Sequence, residues 1–464
     1  MILRIISILM NGLVGSLRFF GFGGTALPGI WVEKYFPSLI SQYARHYKKT
    51  ILITGTNGKT TVQLALGKVL ASAGFKVTGN FSGSNMLRGI ATTLLSAGIP
   101  HETTNSILLC EVEEATMPKL TEYIYPDIIV ITNMYRDQLD AYGELDKTAE
   151  YIKKACQNSL DALLILNGDD PIITTLSIGL PHKKITYSLG EYAKQFQYEG
   201  RPQEIHEIAS SVQSTIDTPR NDMHGESHEE SDKAISLTNT QMPDIIAKSI
   251  TVYNDLSTEV QIENHGKPTP IKFAPPGMYN VYNALAAYTA SLELGVKEES
   301  VISALATVQP PFGRGETITF QKDEKTLTFQ IFLVKNPAGY SQVWDMLRQV
   351  KIPFNLILGL NDNIADGRDV SWIWDIELIP FAHSDTLQLI SFTGKRAYDM
   401  ALRMKYAEIE ATSHSIIPDI ATCLEDMMQK SSNERRTFAL MTYTAMNQFR
   451  SALGRYITLS PYTS

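Results

Sequence analysis

Cysteine is nearly missing from this chain. There are three in 464 residues, Cys110, Cys156 and Cys423, far apart and none in a CxxC pair. That excludes a disulfide framework and a zinc ribbon, and makes a reducing cytoplasm the simplest setting. An excess of basic charge is missing too. Lys plus Arg number 41 against 49 Asp plus Glu, a formal net charge of −8, which argues against a nucleic-acid binder. No apolar run is long enough to span a bilayer. The nearest, Ile5–Leu17, is uncharged and mostly apolar, between Arg4 and Arg18, with no clean small-residue cleavage site after it. A helix packed on the domain, or lying on a membrane surface, fits it better than a targeting signal.

What is present suffices for a core. Hydrophobic residues make up 44% and charged residues 19%, which excludes wholesale disorder. At roughly 100–200 residues per domain, the length fits two to four domains. From residue 50 the pattern alternates between strand and helix. Thr50–Thr54 is a short β-rich run, and Thr61–Ala73 carries apolar residues at helical spacing before Gly74. Ile107–Val112, Asp127–Thr132 and Leu163–Leu166 are further apolar runs. The fold class is therefore α/β, with a parallel sheet covered on both faces.

Between about 191 and 250 the chain turns polar and charged, which reads as a long exposed insertion. His206, His224 and His228 lie in it without metal-ligand spacing, so a solvated loop is the better reading. The α/β pattern resumes at Ala274, and a second unit begins near Ile318–Phe329. Its strands are expected at Asn355–Gly359, Leu387–Phe392 and Phe438–Thr442. Ligands of open parallel sheets gather beyond the carboxyl ends of strands, so the loops after those runs are where chemistry is sought.

The most informative stretch is Gly55-Thr56-Asn57-Gly58-Lys59-Thr60-Thr61, between a strand and a helix. Gly55 and Gly58 let backbone N–H groups approach phosphate oxygens, and the helix N-terminus adds a positive dipole end. Lys59 is suited to bridge the β- and γ-phosphates of a nucleotide and Thr60 to ligate Mg²⁺. A strict Walker A pattern would want Gly where Ile53 stands, so the loop is a variant.

GTNGKT resembles the loop of the Mur ligases and folylpolyglutamate synthases, which join a carboxylate to an amine through an acyl phosphate. The resemblance implies ATP as co-substrate and a Mg²⁺-binding carboxylate after the next main strand, where Glu111 stands. Glu113 and Glu114 fit that site or, equally, an acidic helix start. In amino-acid-adding Mur ligases, the stretch comparable to Thr132–Asp140 carries a metal-binding His. Here Gln138 replaces it. Those enzymes also place a carbamylated Lys further along, where Ile152 and Lys153 lie here.

Several motifs in one order are similar to the MurT-type branch of the family. They are EVEEA (111–115), TNxxRDQLDxYGE (132–144), LNGDDP (166–171), YNVYNALAAY (279–288) and FGRGE (312–316). KNPAG (335–339), LNDNIADGRDVSWIWD (360–375) and TGKRAYDMALRMKYAEI (393–409) continue the likeness. It covers residue 25 onward, except the polar insertion. The implied architecture is an N-terminal helical segment (1–45), a Mur ligase-like central P-loop ATPase domain (46–315) and a C-terminal Rossmann-like α/β domain (316–464). The implied reaction is amidation of the D-glutamate α-carboxylate of lipid II. The implied partner is a GatD-like glutaminase subunit, in a heterodimer. A lipid-linked substrate makes proximity to the inner membrane face plausible.

The same resemblance assigns nucleotide contact to Asn283 and Arg314. A helix cap or core amide is the local alternative for Asn283, and an interdomain salt bridge for Arg314. It places Asp369 as the acid completing the partner's Cys–His pair into a triad. An Asx turn is the local alternative, and Asp362, Asp366 and Asp375 are rivals. Trp372 and Trp374 fit partner-facing anchors or core packing equally. Many relatives carry a four-cysteine zinc ribbon. Those cysteines are not in this chain, so no structural zinc is expected. Two rival readings are a self-sufficient amino-acid ligase of the folylpolyglutamate type and a nucleotide-binding scaffold that does not catalyse. Gln138, Ile152 and the DGRDVSW loop speak against the first, and GTNGKTT with Glu111 against the second.

Overall fold

The computed structural model describes residues 27–81, 84–101, 105–134, 144–196, 243–253, 256–264, 266–310, 313–381, 386–409 and 411–459. The apolar run Ile5–Leu17, Gln138, and residues 197–242 of the polar stretch with its three histidines lie outside them. Expectations about those positions stay as stated.

The strands are β1 (Lys49–Thr54), β2 (Lys76–Gly79), β3 (Ser106–Glu111), β4 (Ile128–Ile131), β5 (Leu163–Asn167), β6 (Lys184–Ser188), β7 (Ile245–Val252), β8 (Thr258–Asn264) and β9 (Lys267–Phe273). They form one nine-stranded sheet in the order β2-β3-β1-β4-β5-β6-β7-β8-β9. Pairing is parallel from β2 to β7 and antiparallel across β7, β8 and β9. Strands β3 and β4 are buried throughout, as expected of central strands covered on both faces. One face is covered by the helix Lys59–Ser72 together with Met278–Glu293 and Glu298–Leu305. The helices Leu27–Tyr35, Ser38–Ala44, Leu87–Ala97 and Glu144–Gln157 cover the other.

The antiparallel hairpins β7–β9 are absent from the sequence reading, which gave residues up to about 250 to the insertion. β7 begins at Ile245. The signal was there: β8 and β9 alternate buried and outward residues with period two. Glu259, Gln261, Glu263, Lys267 and Lys272 on the outer face dilute the apolar content to that of a loop.

The second unit adds β10 (Arg314–Lys322), β11 (Lys325–Leu333), β12 (Phe354–Gly359), β13 (Leu387–Thr393), β14 (Ser413–Ile416) and β15 (Arg436–Met441). Their order is β10-β11-β15-β12-β13-β14, parallel except for the first hairpin. A core lies on each face. Gly315 adopts a φ of +95°, and a Cβ there would come within 2.4 Å of Pro276 Cγ, so the FGRGE turn can sit against the first unit only with glycine.

Asp170 ties β5 to the loop beyond β4. Its Oδ1 accepts from Ile172 N and Ile173 N, capping the helix Pro171–Ser177, and its Oδ2 accepts from Met134 N at 2.8 Å. Burial raises its carboxyl from 3.8 to about 6, although the three N–H donors oppose the shift. The folded chain therefore holds this proton more tightly than the unfolded chain. Asp170's contribution to stability is full below about pH 4 and is lost as pH rises through about 6. Asp170→Asn keeps one acceptor but turns a donor toward Met134 N, an expected loss of about 1–3 kcal/mol. The wild-type advantage in Tm over this variant should narrow between pH 4 and pH 7 in paired thermal melts.

Candidate nucleotide site

The phosphate loop follows β1, the strand between β3 and β4. Its conformation is held from the β4 side. Thr56 N donates to Asn133 O and Asn57 N to Asn133 Oδ1, both at 2.9 Å. Asn133 Nδ2 and Thr132 Oγ1 donate back to Asn57 O at 2.9 and 2.7 Å. Gly55 and Gly58 have φ of +120° and +89°, a region that favours glycine. The space above Gly58 is taken by Asn283, whose Oδ1 would lie 2.2 Å from an added Cβ.

The loop opens onto a cavity of about 400 Å³. Thr56, Asn57, Gly58 and Lys59 form one side and Glu111, Glu113 and Glu114 another. Lys147, Thr148 and Tyr151 enter from the helix Glu144–Gln157, and Arg314 and Lys335 from the second unit. Lys59 Nζ donates to Gly55 O at 2.6 Å and to Glu114 Oε1 at 2.8 Å. Thr60 Oγ1 donates to Glu111 Oε2 at 2.8 Å. Asn80 fixes the end of β3 by pairing with the backbone N and O of Glu111 at 2.9 and 2.7 Å. Asn85 Nδ2 donates to Glu113 Oε2 at 3.2 Å and to Glu111 Oε1 at 3.4 Å. Burial raises the Glu113 carboxyl, opposed by the Lys59 charge and reinforced by Glu114.

These groups suit a nucleotide phosphate chain. A glycine cradle that tolerates no side chain, a buried Lys and a hydroxyl touching a carboxylate are the parts such a ligand requires. Thr60 and Glu111, already in contact, form the hard oxygen pair that would hold Mg²⁺.

The sequence-derived residues divide. Thr56, Asn57, Gly58, Lys59, Glu111 and Arg314 line the cavity. Gly55 stands behind it and gives its carbonyl to Lys59. Thr61 is buried in the helix, with its hydroxyl unpartnered. Asn283 is also buried and donates to Asn280 Oδ1 at 2.8 Å, so here it supports the loop through Gly58 rather than lining the cavity. Arg314 makes no ion pair among the described residues and faces the cavity from the start of β10. Ile152, which has no amine to carry a carbamate, is fully buried in the core, and Lys153 does not line the cavity. The lysine that does face it from this helix is Lys147, which the sequence reading missed. Positions 147, 148 and 151 share one helical face, a spacing that would have found them.

Asp369 lies elsewhere, on the exposed loop after β12. Its Oδ1 accepts from Ser371 N at 2.8 Å, and hydrogen bonds from Ser371 hold the carboxyl below the usual range. The local Asx turn is therefore real, and the carboxylate is nonetheless exposed. Two rivals are engaged inside the unit: Asp362 pairs with Arg396 at 2.8 Å, and Asp366 accepts from Thr444 N at 2.7 Å. Trp372 packs on Tyr340, with centroids 6.3 Å apart, whereas Trp374 is exposed and meets the ring of Tyr406 edge-on. Tyr398, Leu402 and Tyr406, at spacing i, i+4, i+8, present an exposed apolar stripe on the neighbouring helix Ala397–Tyr406. The three cysteines are buried and free.

Gly58→Ala tests the cradle. A forced left-handed residue costs about 1–3 kcal/mol, before the clash with Asn283 is counted. Nucleotide affinity should fall by at least about tenfold in a binding titration.

Two family models match the chain: the Mur ligase middle domain over residues 53–227 and the MurT ligase C-terminal domain over 333–446. Among characterised relatives, the MurT subunit of the glutamine-hydrolysing lipid II isoglutaminyl synthase of Streptococcus pneumoniae is 30% identical over 93% of this chain and 92% of its own length. The subunit of the same name from Staphylococcus aureus is 29% identical over 85% of each chain. Among solved structures, MurF from Acinetobacter baumannii aligns with a TM-score of 0.63 at 17% identity, covering 89% of this chain and 79% of that one. MurF from Thermotoga maritima, solved in complex with ADP, aligns with a TM-score of 0.58 at 13% identity, covering 90% and 83%. These structures share the fold, an α/β pair of sheets, and the sequence relatives carry the narrower assignment. The chain belongs to the MurT family of Mur ligase-type, ATP-dependent ligases.

Proposed function

We propose that this chain is the nucleotide-using subunit of an enzyme that amidates the D-glutamate α-carboxylate of the lipid II stem peptide, with ammonia from a GatD-like glutaminase subunit. The observation that carries the reading is one cavity lined by both Lys59 and Glu111, with Thr60 donating to the Glu111 carboxylate. Its likeness to subunits named for glutamine-hydrolysing lipid II isoglutaminyl synthesis, over nearly the whole chain, supports the substrate and the partner.

A carboxylate is a poor acylating agent because its leaving group would be oxide or hydroxide. In the proposed reaction a carboxylate oxygen attacks the γ-phosphorus of ATP, the bond to ADP breaks, and an acyl phosphate forms. Ammonia then attacks the acyl carbon, inorganic phosphate leaves with the bonding electrons, and the nitrogen sheds a proton. The chain's work is positioning and charge stabilisation. Lys59 holds the phosphates, Gly55–Gly58 offer backbone N–H groups, and Arg314 and Lys335 close the cavity with positive charge. Thr60 and Glu111 would hold Mg²⁺, which would further neutralise the phosphates when bound. Ammonia is mostly protonated near neutral pH, so delivery from a partner is chemically apt.

Asp369 is the residue we assign to that partner. An exposed carboxylate on the loop that leads to the exposed Trp374, which meets Tyr406 of the apolar stripe, suits docking of a second subunit, with the acid orienting a His of that subunit. Exposed Trp31, Tyr35 and Phe36 support contact with the membrane face that holds a lipid-linked substrate. Among the described residues, no helix is long and apolar enough to cross a membrane.

The test is the reconstituted pair with ATP, lipid II and either glutamine or ammonium. Lys59→Ala should lower ADP release by about 10²–10³-fold with both donors. Asp369→Asn should lower the glutamine-dependent rate by about 10²-fold or more and spare the ammonium-dependent rate. Equal loss with both donors would remove Asp369 from the triad. Amino-acid-dependent ADP release by the chain alone would favour the self-sufficient ligase.

A further inference from the structure

The Lys59–Glu114 pair is not accounted for by phosphate binding. The two side chains meet at 2.8 Å, and each is only 10% exposed. The ammonium of Lys59 is thus engaged on one side by Gly55 O and on the other by a carboxylate oxygen. A carboxylate oxygen offers what a phosphate oxygen offers, a full acceptor with negative charge at hydrogen-bond distance. Lys59 lines the cavity that the nucleotide would enter, and so does Glu114. The lysine cannot give the same direction of approach to both anions.

We infer that Glu114 is a positioning residue that stands in for the phosphate on Lys59, and that nucleotide seats by displacing it. This rests on the nucleotide-binding reading above. Without a partner, a buried ammonium would be costly, and Lys59 would swing toward solvent. The Glu114 carboxylate keeps it aimed into the cavity. When the phosphate chain arrives, Lys59 exchanges one anion for another, and Glu114 is left beside phosphate oxygens, where like charges repel. The carboxylate must then turn away. Glu114 opens the short helical turn Glu114–Thr116, which leads into the helix Met117–Leu120 and packs beside Glu144–Gln157. That last helix carries Lys147, Thr148 and Tyr151 into the cavity. Displacement of Glu114 is thereby passed to the cavity wall opposite the loop, so that nucleotide entry reshapes the chamber in which the acceptor must bind.

The competing account is a permanent tether, with Glu114 bracing the phosphate loop in every state. The two accounts differ in sign. A tether, once cut, loosens the loop and weakens nucleotide binding. A stand-in, once removed, no longer competes and binding tightens. Loss of any negative charge near the cavity would also tighten it, so the neighbouring Glu113 serves as the control. It lines the same cavity but makes no ion pair with Lys59.

The experiment is equilibrium binding of ATP and of ADP, with and without Mg²⁺, to the full chain, by calorimetry. Glu114→Gln should bind ATP about tenfold more tightly than wild type, and at least about threefold more tightly than Glu113→Gln, which measures the general effect of charge. Affinity that is unchanged or weaker in Glu114→Gln overturns the inference, and equal tightening in both variants overturns it in favour of general charge. Thermal melts check that each variant is folded. Should Glu114→Gln not fold, Glu114→Ala, which also removes the competing carboxylate, carries the same expectation and the same refutation. Wild type that binds no nucleotide would refute the nucleotide reading itself, whereas wild type that binds, with no tightening in the variants, refutes only the stand-in.

Discussion

The pairing of β1 with β3 on one side and β4 on the other is the constraint on which the site depends. The register aligns Ile53 with Glu111 and Thr54 with Ile131. All three strands run parallel, so their carboxyl ends arrive at one edge of the sheet. β1 delivers the phosphate loop, β3 delivers Glu111, and β4 delivers Thr132 and Asn133. A shift of one residue in the β1–β3 pairing would turn Glu111 to the other face of the sheet. The apolar interiors of these strands, fully buried, make such a shift costly. The core thus fixes the chemistry without taking part in it.

Charge at this edge is arranged in layers. The deepest is the Lys59–Glu114 pair, with Thr60 and Glu111 beside it. Further out, Glu113 is held by Asn85, and Lys147, Arg314 and Lys335 bring cations from separate elements. A cavity lined only with carboxylates would repel a nucleotide, and one lined only with cations would bind product as tightly as substrate. With mixed lining in a partly desolvated space, Lys59 is neutralised by Glu114, whereas Arg314 makes no ion pair among the described residues and can meet an incoming anion.

The second unit supplies the cavity with Arg314 and an exposed loop with Asp369, both from the edge where its parallel strands end, since the start of β10 pairs with the end of β11, in line with the ends of β15 and β12. Arg314 begins β10, against the first unit. Asp369 follows β12, where the loop is exposed and its acidic neighbours Asp362 and Asp366 are engaged inward.

Much of the site was legible in the sequence. The loop glycines, Lys59 and Thr60 were legible because phosphate binding constrains consecutive residues, and so were the parallel strands, whose buried runs are continuous. Asp369 could be named but not separated from its acidic neighbours, since exposure is not written in a local pattern. Asn283 could be named too, though its place beneath Gly58 is a contact across 225 positions. The hairpins β7–β9 were missed because alternating polar faces dilute their apolar content. By itself, the order of residues determined that a strand, a phosphate loop and a helix follow one another, since those rules act over a few neighbouring dihedrals. Only the tertiary structure decided that Glu114 and not Glu111 holds Lys59, and that Lys147 and not Lys153 faces the cavity. Those choices depend on distances between elements remote in the chain, which packing sets and local sequence does not.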